Sequence, residues 1–528
     1  MSTRILLSTG VFAVAVSVIG LSRSHGQPAQ PLKADPGRPS PGINSCRTCH
    51  SGADTGQAAG FVKNYKSNEF CLLNESTTWD QKDVHSQAMV NLTGPLGKRM
   101  EKVLGYKVAE DVRCLSCHST DISPDKKQKT VDDFATTEGG VNCTACHGLG
   151  RNWQQDHYEE PRKKGDPMPW RAMDPAAKEA RGMADLRNPA GKAKLCASCH
   201  VGNSSEGKVV THEMYAAGHP PLPPFELATF MESEPKHWGY PTDDKLKFFT
   251  EFAAKSPEKT WPIFRFHPAD KESYLTRHVA CGAVAALQAE VRQLGADAER
   301  AAKPDGEAID FARFDCYACH HDLKVPSARQ KRGYDGPPGR PALKAWAGGL
   351  PAVVAAHAAG LDDPKAKKLA AEFGPKWEAV RKATFAKPFG DPGTLAKASA
   401  ELDAWCAEFL AFQSDTATPI YTPEQSARLM DMIRKAAEAT KFSAEPEAAS
   451  QLTWAYLTLR DDLKKPVAAD KLAELEKVLA TRVRFEKDYT EDGKKPKPVE
   501  AYLGERLRRF AAYDADAFEK AFKAIGEK

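Results

Sequence analysis

The stretch VNCTACHGLG, residues 141–150, contains two cysteines three positions apart, followed directly by a histidine. With 13 cysteines and 15 histidines in 528 residues, random order gives about 0.01 such pentapeptides per chain. The spacing nevertheless occurs five times, so it has a chemical reason. The five motifs, numbered 1 to 5 in chain order, are Cys46–His50, Cys114–His118, Cys143–His147, Cys196–His200 and Cys316–His320.

This spacing is typical of covalent attachment of c-type haem. The two thiols add to the two vinyl groups of one porphyrin, and the histidine binds the iron as proximal ligand. The sequence therefore predicts five haem c groups. The attachment residues are Cys46, Cys49, Cys114, Cys117, Cys143, Cys146, Cys196, Cys199, Cys316 and Cys319, and the proximal ligands are His50, His118, His147, His200 and His320.

Other uses of a cysteine pair fit less well. A zinc site needs four ligands, usually from a second dithiol or a His-x-His element, whereas here each dithiol has its own histidine. A thioredoxin-like dithiol occurs once, beside a βαβ pattern, and a disulfide framework needs no histidine at a fixed offset. Haem attachment is the favoured interpretation.

Three cysteines remain outside the motifs: Cys71, Cys281 and Cys406. They allow at most one internal disulfide, and Cys71 with Cys281 is one option that the sequence leaves open. Cys406 lies in the run ELDAWCAEFLAF, where a buried apolar thiol is expected.

The N-terminus has the form of a secretory signal, which we place at residues 1–26. Arg4 precedes an uncharged apolar stretch over residues 5–21. The expected location is therefore periplasmic or otherwise extracytoplasmic, where c-type haem is attached, with an uncleaved membrane anchor as the alternative. A net charge of +4 with 27% charged residues gives no indication of a nucleic-acid partner.

The composition divides the chain into segments. Residues 27–44 form a Pro-rich linker, and residues 45–330 form the pentahaem cytochrome c domain. We expect short helices and long loops there, with the porphyrins supplying most of the apolar core. After the Gly/Pro-rich residues 331–341, residues 342–528 form an all-α region. The predicted fold is mainly α with long loops.

The C-terminal region shows repeated helical periodicity. One helix begins with Thr422 as N-cap, Pro423 at the first position and Gln425 completing a capping box. The region has no haem motif, so structural support or oligomerisation is favoured over a catalytic role. The other predicted helices cover about 342–359, 363–383, 393–413, 446–463, 468–487, 498–511 and 514–525.

A second set of histidines decides what the irons can do. An iron bound by two histidines is a low-spin electron carrier, whereas an iron with one open position can bind a substrate. Beyond residue 45 the histidines outside the motifs are His85, His157, His212, His219, His237, His267, His278, His321 and His357.

Residues 45–325 resemble the multihaem cytochrome c family typified by the tetrahaem electron carrier of nitrification, the cytochrome c-554-like domain. Hydroxylamine oxidoreductase and pentahaem nitrite reductase are more distant relatives. The resemblance rests on the haem motifs together with WDQKDVHSQAM (79–89), EGGVNCTACHG (138–148), RNWQQDH (151–157), CASCHVGNSSEGKVVTHEMYAAGHPPLPPFE (196–226), PKHW (235–238) and DCYACHHDL (315–323).

The resemblance implies the candidate distal iron ligands, which are His85, His157, His212, His219 and His237. Which of them serves which haem is left open. His321 directly follows a proximal ligand and is expected to contact a propionate or the backbone. His267 and His278 are expected to be solvent or core histidines.

Two functions follow from these residues. The favoured one is a non-catalytic carrier that passes electrons between periplasmic or membrane-bound redox partner proteins. The alternative is an oxidoreductase acting on a small nitrogen or sulfur species at a five-coordinate haem, with His267, His278 or Tyr317 as nearby acid or base. The Cys-x-x-Cys-Lys motif of pentahaem nitrite reductases is absent from the sequence, as is a recognisable equivalent of the crosslinking tyrosine of hydroxylamine oxidoreductase. Catalytic residues and the oligomeric state stay unassigned.

Overall fold

A computed structural model describes most of the chain in discrete stretches. They are residues 43–52, 73–120, 140–148, 150, 153–158, 170, 173–237, 272–333, 336–414, 419–439, 443–484 and 503–526. The predicted signal at 1–26, most of the linker, Cys71 and His267 lie outside the described residues.

The described residues form a mainly α structure, which confirms the predicted fold class. Their β-structure is limited to two isolated bridges, Asn203 with Lys208 and Phe314 with Leu343. None of the helices in the described stretches combines the length and apolar character that a membrane crossing needs.

The described residues between 43 and 237, which include motifs 1 to 4, form short helices joined by loops, with 3-10 turns at Val84–Gln87, Asp156–Tyr158 and Ser204–Glu206. The α-helices are α1 (Ile43–His50), α2 (Glu75–Lys82), α3 (Ala88–Thr93), α4 (Pro95–Leu104), α5 (Val112–His118), α6 (Cys143–His147), α7 (Pro175–Ala180), α8 (Pro189–His200), α9 (His212–Ala217) and α10 (Leu227–Ser233).

Helix α11 (Tyr274–Ala301) departs from the expectation of short helices and long loops before motif 5. It is 28 residues long, and most of its side chains are buried on all sides. A helix that is buried all round shows no single apolar face, so the periodic pattern used to find amphipathic helices is weak there. The prediction of short elements was therefore wrong for this segment.

The remaining helices follow a 3-10 turn at Phe311–Arg313, and the first of them carries motif 5. They are α12 (Cys316–Cys319), α13 (Ala328–Lys331), α14 (Ala345–Ala358), α15 (Pro364–Ala386), α16 (Pro392–Ser414), α17 (Pro423–Glu438), α18 (Pro446–Asp462), α19 (Ala469–Leu479), α20 (Leu503–Ala512) and α21 (Ala515–Gly526).

Helix α17 begins as predicted. The Gln425 N–H donates to the Thr422 hydroxyl at 3.3 Å, and Pro423 occupies the first helical position. The reciprocal half of the capping box is missing, because Gln425 Oε1 has no hydrogen-bond partner among the described residues.

One apolar core joins the two predicted parts of the chain. Helix α11 packs against α16 and α14 and also against α8 and α10, which belong to the part of the chain that carries motifs 1 to 4. Hydrogen bonds reinforce this packing, since Gln451 Nε2 donates to the Phe225 carbonyl at 2.8 Å and Thr276 donates to Asp462 at 2.9 Å. The boundary at residues 331–341 stays a prediction, whereas the packing across it is observed.

Candidate functional site

Each Cys-x-x-Cys-His motif lies on the last turn of a helix. Helices α1, α5, α6 and α8 end at the motif histidine, and α12 ends at Cys319 with His320 as its C-cap. Residues three apart lie on the same side of a helix, so the two thiols of a motif face one direction. The helical turn therefore presents both cysteines and the histidine to one haem.

Short polar side chains fix the start of four of these helices. The side-chain oxygens of Asp111, Asn142, Asn188 and Asp315 accept hydrogen bonds from backbone N–H groups in the first turn of α5, α6, α8 and α12. Such caps satisfy N–H groups that have no partner inside the helix. They make short helices possible where little apolar surface is available.

The five motif histidines each face a second histidine. The distances between ring centres are 6.4 Å for His50 with His157, 6.4 Å for His118 with His219, 6.3 Å for His147 with His237, 6.0 Å for His200 with His85, and 6.2 Å for His320 with His212. All five candidate distal ligands are therefore placed opposite a proximal one.

These distances fit a metal ion between the rings. A first-row metal binds an imidazole nitrogen at about 2.0 Å, so two axial imidazoles on one haem iron have ring centres about 6.3 Å apart. Direct ring stacking would bring the centres closer, and unrelated side chains would not repeat one distance five times. The residues present therefore fit bis-histidine haem.

Hydrogen bonds leave the correct ring nitrogen available. When Nδ1–H of a neutral histidine donates to an acceptor, the lone pair that can bind a metal is on Nε2. Six of the ten paired histidines have such an Nδ1 contact. Two have a carboxylate acceptor, His50 with Glu75 and His85 with Asp83. Four have a backbone carbonyl acceptor, His118 with Ala88, His157 with Gln154, His219 with Pro220 and His237 with Pro235.

The candidate distal histidines lie on short turns between the motif helices. His85 and His157 occupy 3-10 turns, and His237 follows α10. Helix α9 places two of them, since His212 is its first residue and His219 lies just beyond its C-terminal end. One six-residue helix therefore serves motif 5 at one end and motif 2 at the other.

Burial keeps several of these imidazoles neutral. It lowers the pKa of His147, His200 and His219 to about 4, with help from a neighbouring histidine in each case. Because an iron ligand must be a neutral imidazole, these three are ready to bind iron at neutral pH.

Two paired histidines have carboxylate partners instead. The hydrogen bond that His50 Nδ1 donates to the Glu75 carboxylate raises the pKa of His50. Burial opposes the charge of His85, but the hydrogen bond and the negative charge of Asp83 outweigh it and raise the pKa of His85 to about 9.

Contacts between thiols show which motifs lie side by side. A hydrogen bond with Cys143 lowers the pKa of Cys46 to about 7, and one with Cys117 lowers the pKa of Cys199 to about 6. Motif 1 therefore adjoins motif 3, and motif 2 adjoins motif 4. In the haem-bound protein these sulfurs would be thioethers that do not titrate, so the contacts here measure proximity alone.

The other described histidines lie outside these pairs. His278 is buried in α11, with Nδ1 donating to the Tyr274 carbonyl at 3.0 Å. His321 is within hydrogen-bond distance of the Tyr317 carbonyl at 3.2 Å, and His357 Nε2 donates to the Gln425 carbonyl at 3.1 Å. Their contacts are those of histidines that hold backbone in place.

The two described cysteines that lie outside the motifs are in the core. Cys281 lies in α11 and Cys406 in α16, and both are fully buried. The placement of Cys406 agrees with the buried apolar thiol expected from its sequence context. Cys71, the suggested partner of Cys281, is not among the described residues.

Residues 45–148 match the model of a protein family described as cytochrome c554 and c-prime. This segment is cytochrome c554-like. The predicted family resemblance is confirmed over these residues, which contain motifs 1 to 3. A c-type cytochrome of this family carries covalent haem c, takes part in electron transfer and is typically extracytoplasmic. Neither a curated protein nor a solved structure matches the chain significantly.

Two residues that contact candidate iron ligands, Glu75 and Asp83, were not predicted from the sequence. Asp83 precedes His85 by two positions, and an aspartate there can cap the turn that carries the histidine. No comparable local signal marks Glu75, because its partner His50 lies on a different helix.

Proposed function

We propose that this protein is an exported pentahaem c-type cytochrome that transfers electrons between redox partners through five bis-histidine haems. The observation that carries the proposal is the set of five facing histidine pairs, at 6.0 to 6.4 Å between ring centres. A haem held by two histidines is a one-electron carrier whose iron has no open position.

The pairing favours a carrier over the alternative oxidoreductase. An enzyme of that kind needs one motif histidine without an opposite histidine, and an acid or base beside the open position. Of the three candidates for that role, His267 lies outside the described residues, and the other two do not suit it. His278 is enclosed in α11, and Tyr317 is buried with Arg332 over its ring at 4.6 Å.

The arrangement of motifs supports passage of electrons along the protein. The thiol contacts join motif 1 with motif 3 and motif 2 with motif 4, and α9 links the sites at motifs 2 and 5. Groups attached to neighbouring motifs would be close enough to exchange electrons. The partners would be periplasmic or membrane-bound redox proteins, in keeping with the typical location of the family.

The first test is to count haems by intact mass and record low-temperature EPR spectra of the oxidised protein. We expect five covalent haems, all low-spin. The variants His212→Ala and His219→Ala should each convert one haem to high-spin. Because these histidines face different motifs, the double variant should give twice the high-spin signal of either single variant.

His321→Ala is the matched control, since His321 adjoins proximal ligand His320 yet has its ring contact with Tyr317. It should leave all five haems low-spin. A high-spin signal in the unmodified protein that shifts with nitrite, hydroxylamine or carbon monoxide would overturn the carrier proposal in favour of the oxidoreductase.

A further inference from the structure

Two of the ten paired histidines contact a carboxylate through Nδ1. Glu75 Oε2 lies 2.8 Å from His50 Nδ1, and Asp83 Oδ1 lies 2.9 Å from His85 Nδ1. His50 belongs to motif 1, and His85 faces His200 of motif 4. The carboxylates thus lie at two different haem sites.

The site at motif 2 differs, because both of its histidines are held by uncharged groups. His118 Nδ1 donates to the Ala88 carbonyl at 2.8 Å, and His219 Nδ1 donates to the Pro220 carbonyl at 2.7 Å. The contact lengths match those of the carboxylate pairs. The sites therefore differ in the charge of the acceptor and not in the presence of a hydrogen bond.

The fold holds both carboxylates in place. Glu75 is the first residue of α2, and its other oxygen accepts the Leu73 N–H at 3.1 Å. Asp83 caps the 3-10 turn and accepts the His85 N–H at 2.9 Å. Their side chains are only 16% and 10% exposed, so water screens these contacts little.

A carboxylate that accepts the Nδ1–H makes the imidazole a stronger electron donor through Nε2. Stronger donation favours the more positive, ferric iron over the ferrous iron. The nearby negative charge acts in the same direction, since the attraction between opposite charges is large where the effective dielectric constant is low. Both effects lower the reduction potential of the iron that the histidine binds.

We propose that Glu75 and Asp83 are positioning residues that lower the reduction potentials of the haems held by His50 and His85. The inference rests on the proposed function, because it requires these histidines to be iron ligands. It assigns lowered reduction potentials to the haem sites of motifs 1 and 4. One of these motifs belongs to each of the two adjoining pairs, 1 with 3 and 2 with 4.

The test is a spectroelectrochemical titration of the haem-loaded protein and of the variants Glu75→Gln and Asp83→Asn. Each variant keeps a side-chain oxygen as hydrogen-bond acceptor but removes the charge, and asparagine caps a turn as well as aspartate does. In each variant we expect one of the five redox transitions to shift to higher potential by more than the other four. The low-spin EPR signal of the same haem should also change.

Asp111→Asn is the matched control. Asp111 caps motif helix α5 as Asp83 caps its turn, but its carboxylate binds Arg113 instead of a histidine. In this variant no single transition should shift apart from the other four. An upward shift of one transition beyond the others, seen only in the Glu75 and Asp83 variants, supports the inference.

Unmoved potentials in both variants, with five low-spin haems, would overturn the role of the carboxylates and leave the carrier function intact. An equal shift of all five transitions would also overturn it, because loss of a distant charge acts on every haem. Fewer than five low-spin haems in the unmodified protein would overturn the ligation and this inference together.

Discussion

Two regions of the molecule bury apolar side chains to very different extents. The first is the part of the chain around motifs 1 to 3, and the second consists of the helices from α11 onward. The first has a small separate cluster, made of Met89, Leu92, Met100, Val108, Ala109, Cys114 and Leu115 together with Ala217 of α9. The second belongs to a core that runs through α11, α14, α16 and α18 and includes Trp405, Phe409 and Leu452.

This difference indicates two sources of stability in one chain. Burial of apolar surface stabilises a fold roughly in proportion to the area removed from water. The helices from α11 onward obtain this stabilisation from side chains, including some of α8 and α10. The described residues around motifs 1 to 3 form only a small apolar cluster, so we expect the folded state there to depend on packing against the haems.

The largest expected effect is that of leaving the haems out. If the chain is made without haem attachment, we expect residues 43–158 to be digested by protease, while α11 and α14 to α18 stay resistant. Limited proteolysis followed by mass spectrometry measures this, with the haem-loaded protein as the reference. Equal protection of both regions would show that the motif region has a sufficient core of its own.

The next effect concerns the core of the second region. Trp405 of α16 is 2% exposed, and its indole N–H donates to the Leu369 carbonyl at 2.8 Å. Trp405→Ala should lower the free energy of unfolding by about 3–5 kcal/mol, because it leaves a cavity and removes the hydrogen bond to the Leu369 carbonyl. Urea unfolding of the haem-loaded protein followed by far-UV circular dichroism measures the loss.

Lys397→Ala is the control for this substitution, since Lys397 lies exposed on the same helix. Its effect should stay within about 0.5 kcal/mol. The Soret band of the haems should be the same in both variants under native conditions. A loss for Trp405→Ala as small as that of the control would contradict a side-chain core in this region.

The smallest effect is expected where the segment of motif 5 lies close to the C-terminal helices. Glu445 caps α18 by accepting the Glu447 and Ala448 N–H groups, and it lies near Asp315, which precedes motif 5. Burial, together with the negative charge of Asp315, raises the pKa of Glu445 from 4.5 to about 7. The folded protein therefore binds a proton in this pH range that the unfolded chain has released.

Stability supplied by this protonated carboxyl is complete below pH 4.5 and is lost as the pH rises to about 7. Glu445→Gln is neutral throughout, so its free energy of unfolding should rise relative to that of the unmodified protein across this window. The variant also loses one of the two carboxylate oxygens that cap the helix, which changes its free energy of unfolding by the same amount at every pH. Urea unfolding at several pH values measures the difference, and Glu474→Gln, at an exposed carboxylate, is the control. A difference independent of pH would contradict the prediction.

Local sequence patterns predicted most helices of the second region. The periodic stretches at 393–413 and 446–463 correspond to α16 and α18 with ends within one residue, because their apolar positions and N-terminal caps lie within a few turns. Helix α11 was missed for the opposite reason. Its burial comes from helices distant in sequence, and only the assembled core shows why a segment between two haem motifs is one long helix.

The sequence by itself determined the chemistry of the protein. Five Cys-x-x-Cys-His motifs predict covalent haem within five residues each, and the family resemblance selected the five histidines that are candidates for the opposite ligands. Only the tertiary structure decided that His85 faces motif 4 and His212 faces motif 5, and that Glu75 reaches His50. Attachment of haem depends on residues within one helical turn, whereas the opposite ligand and its hydrogen-bond partner come from separate elements that meet only when the chain has folded.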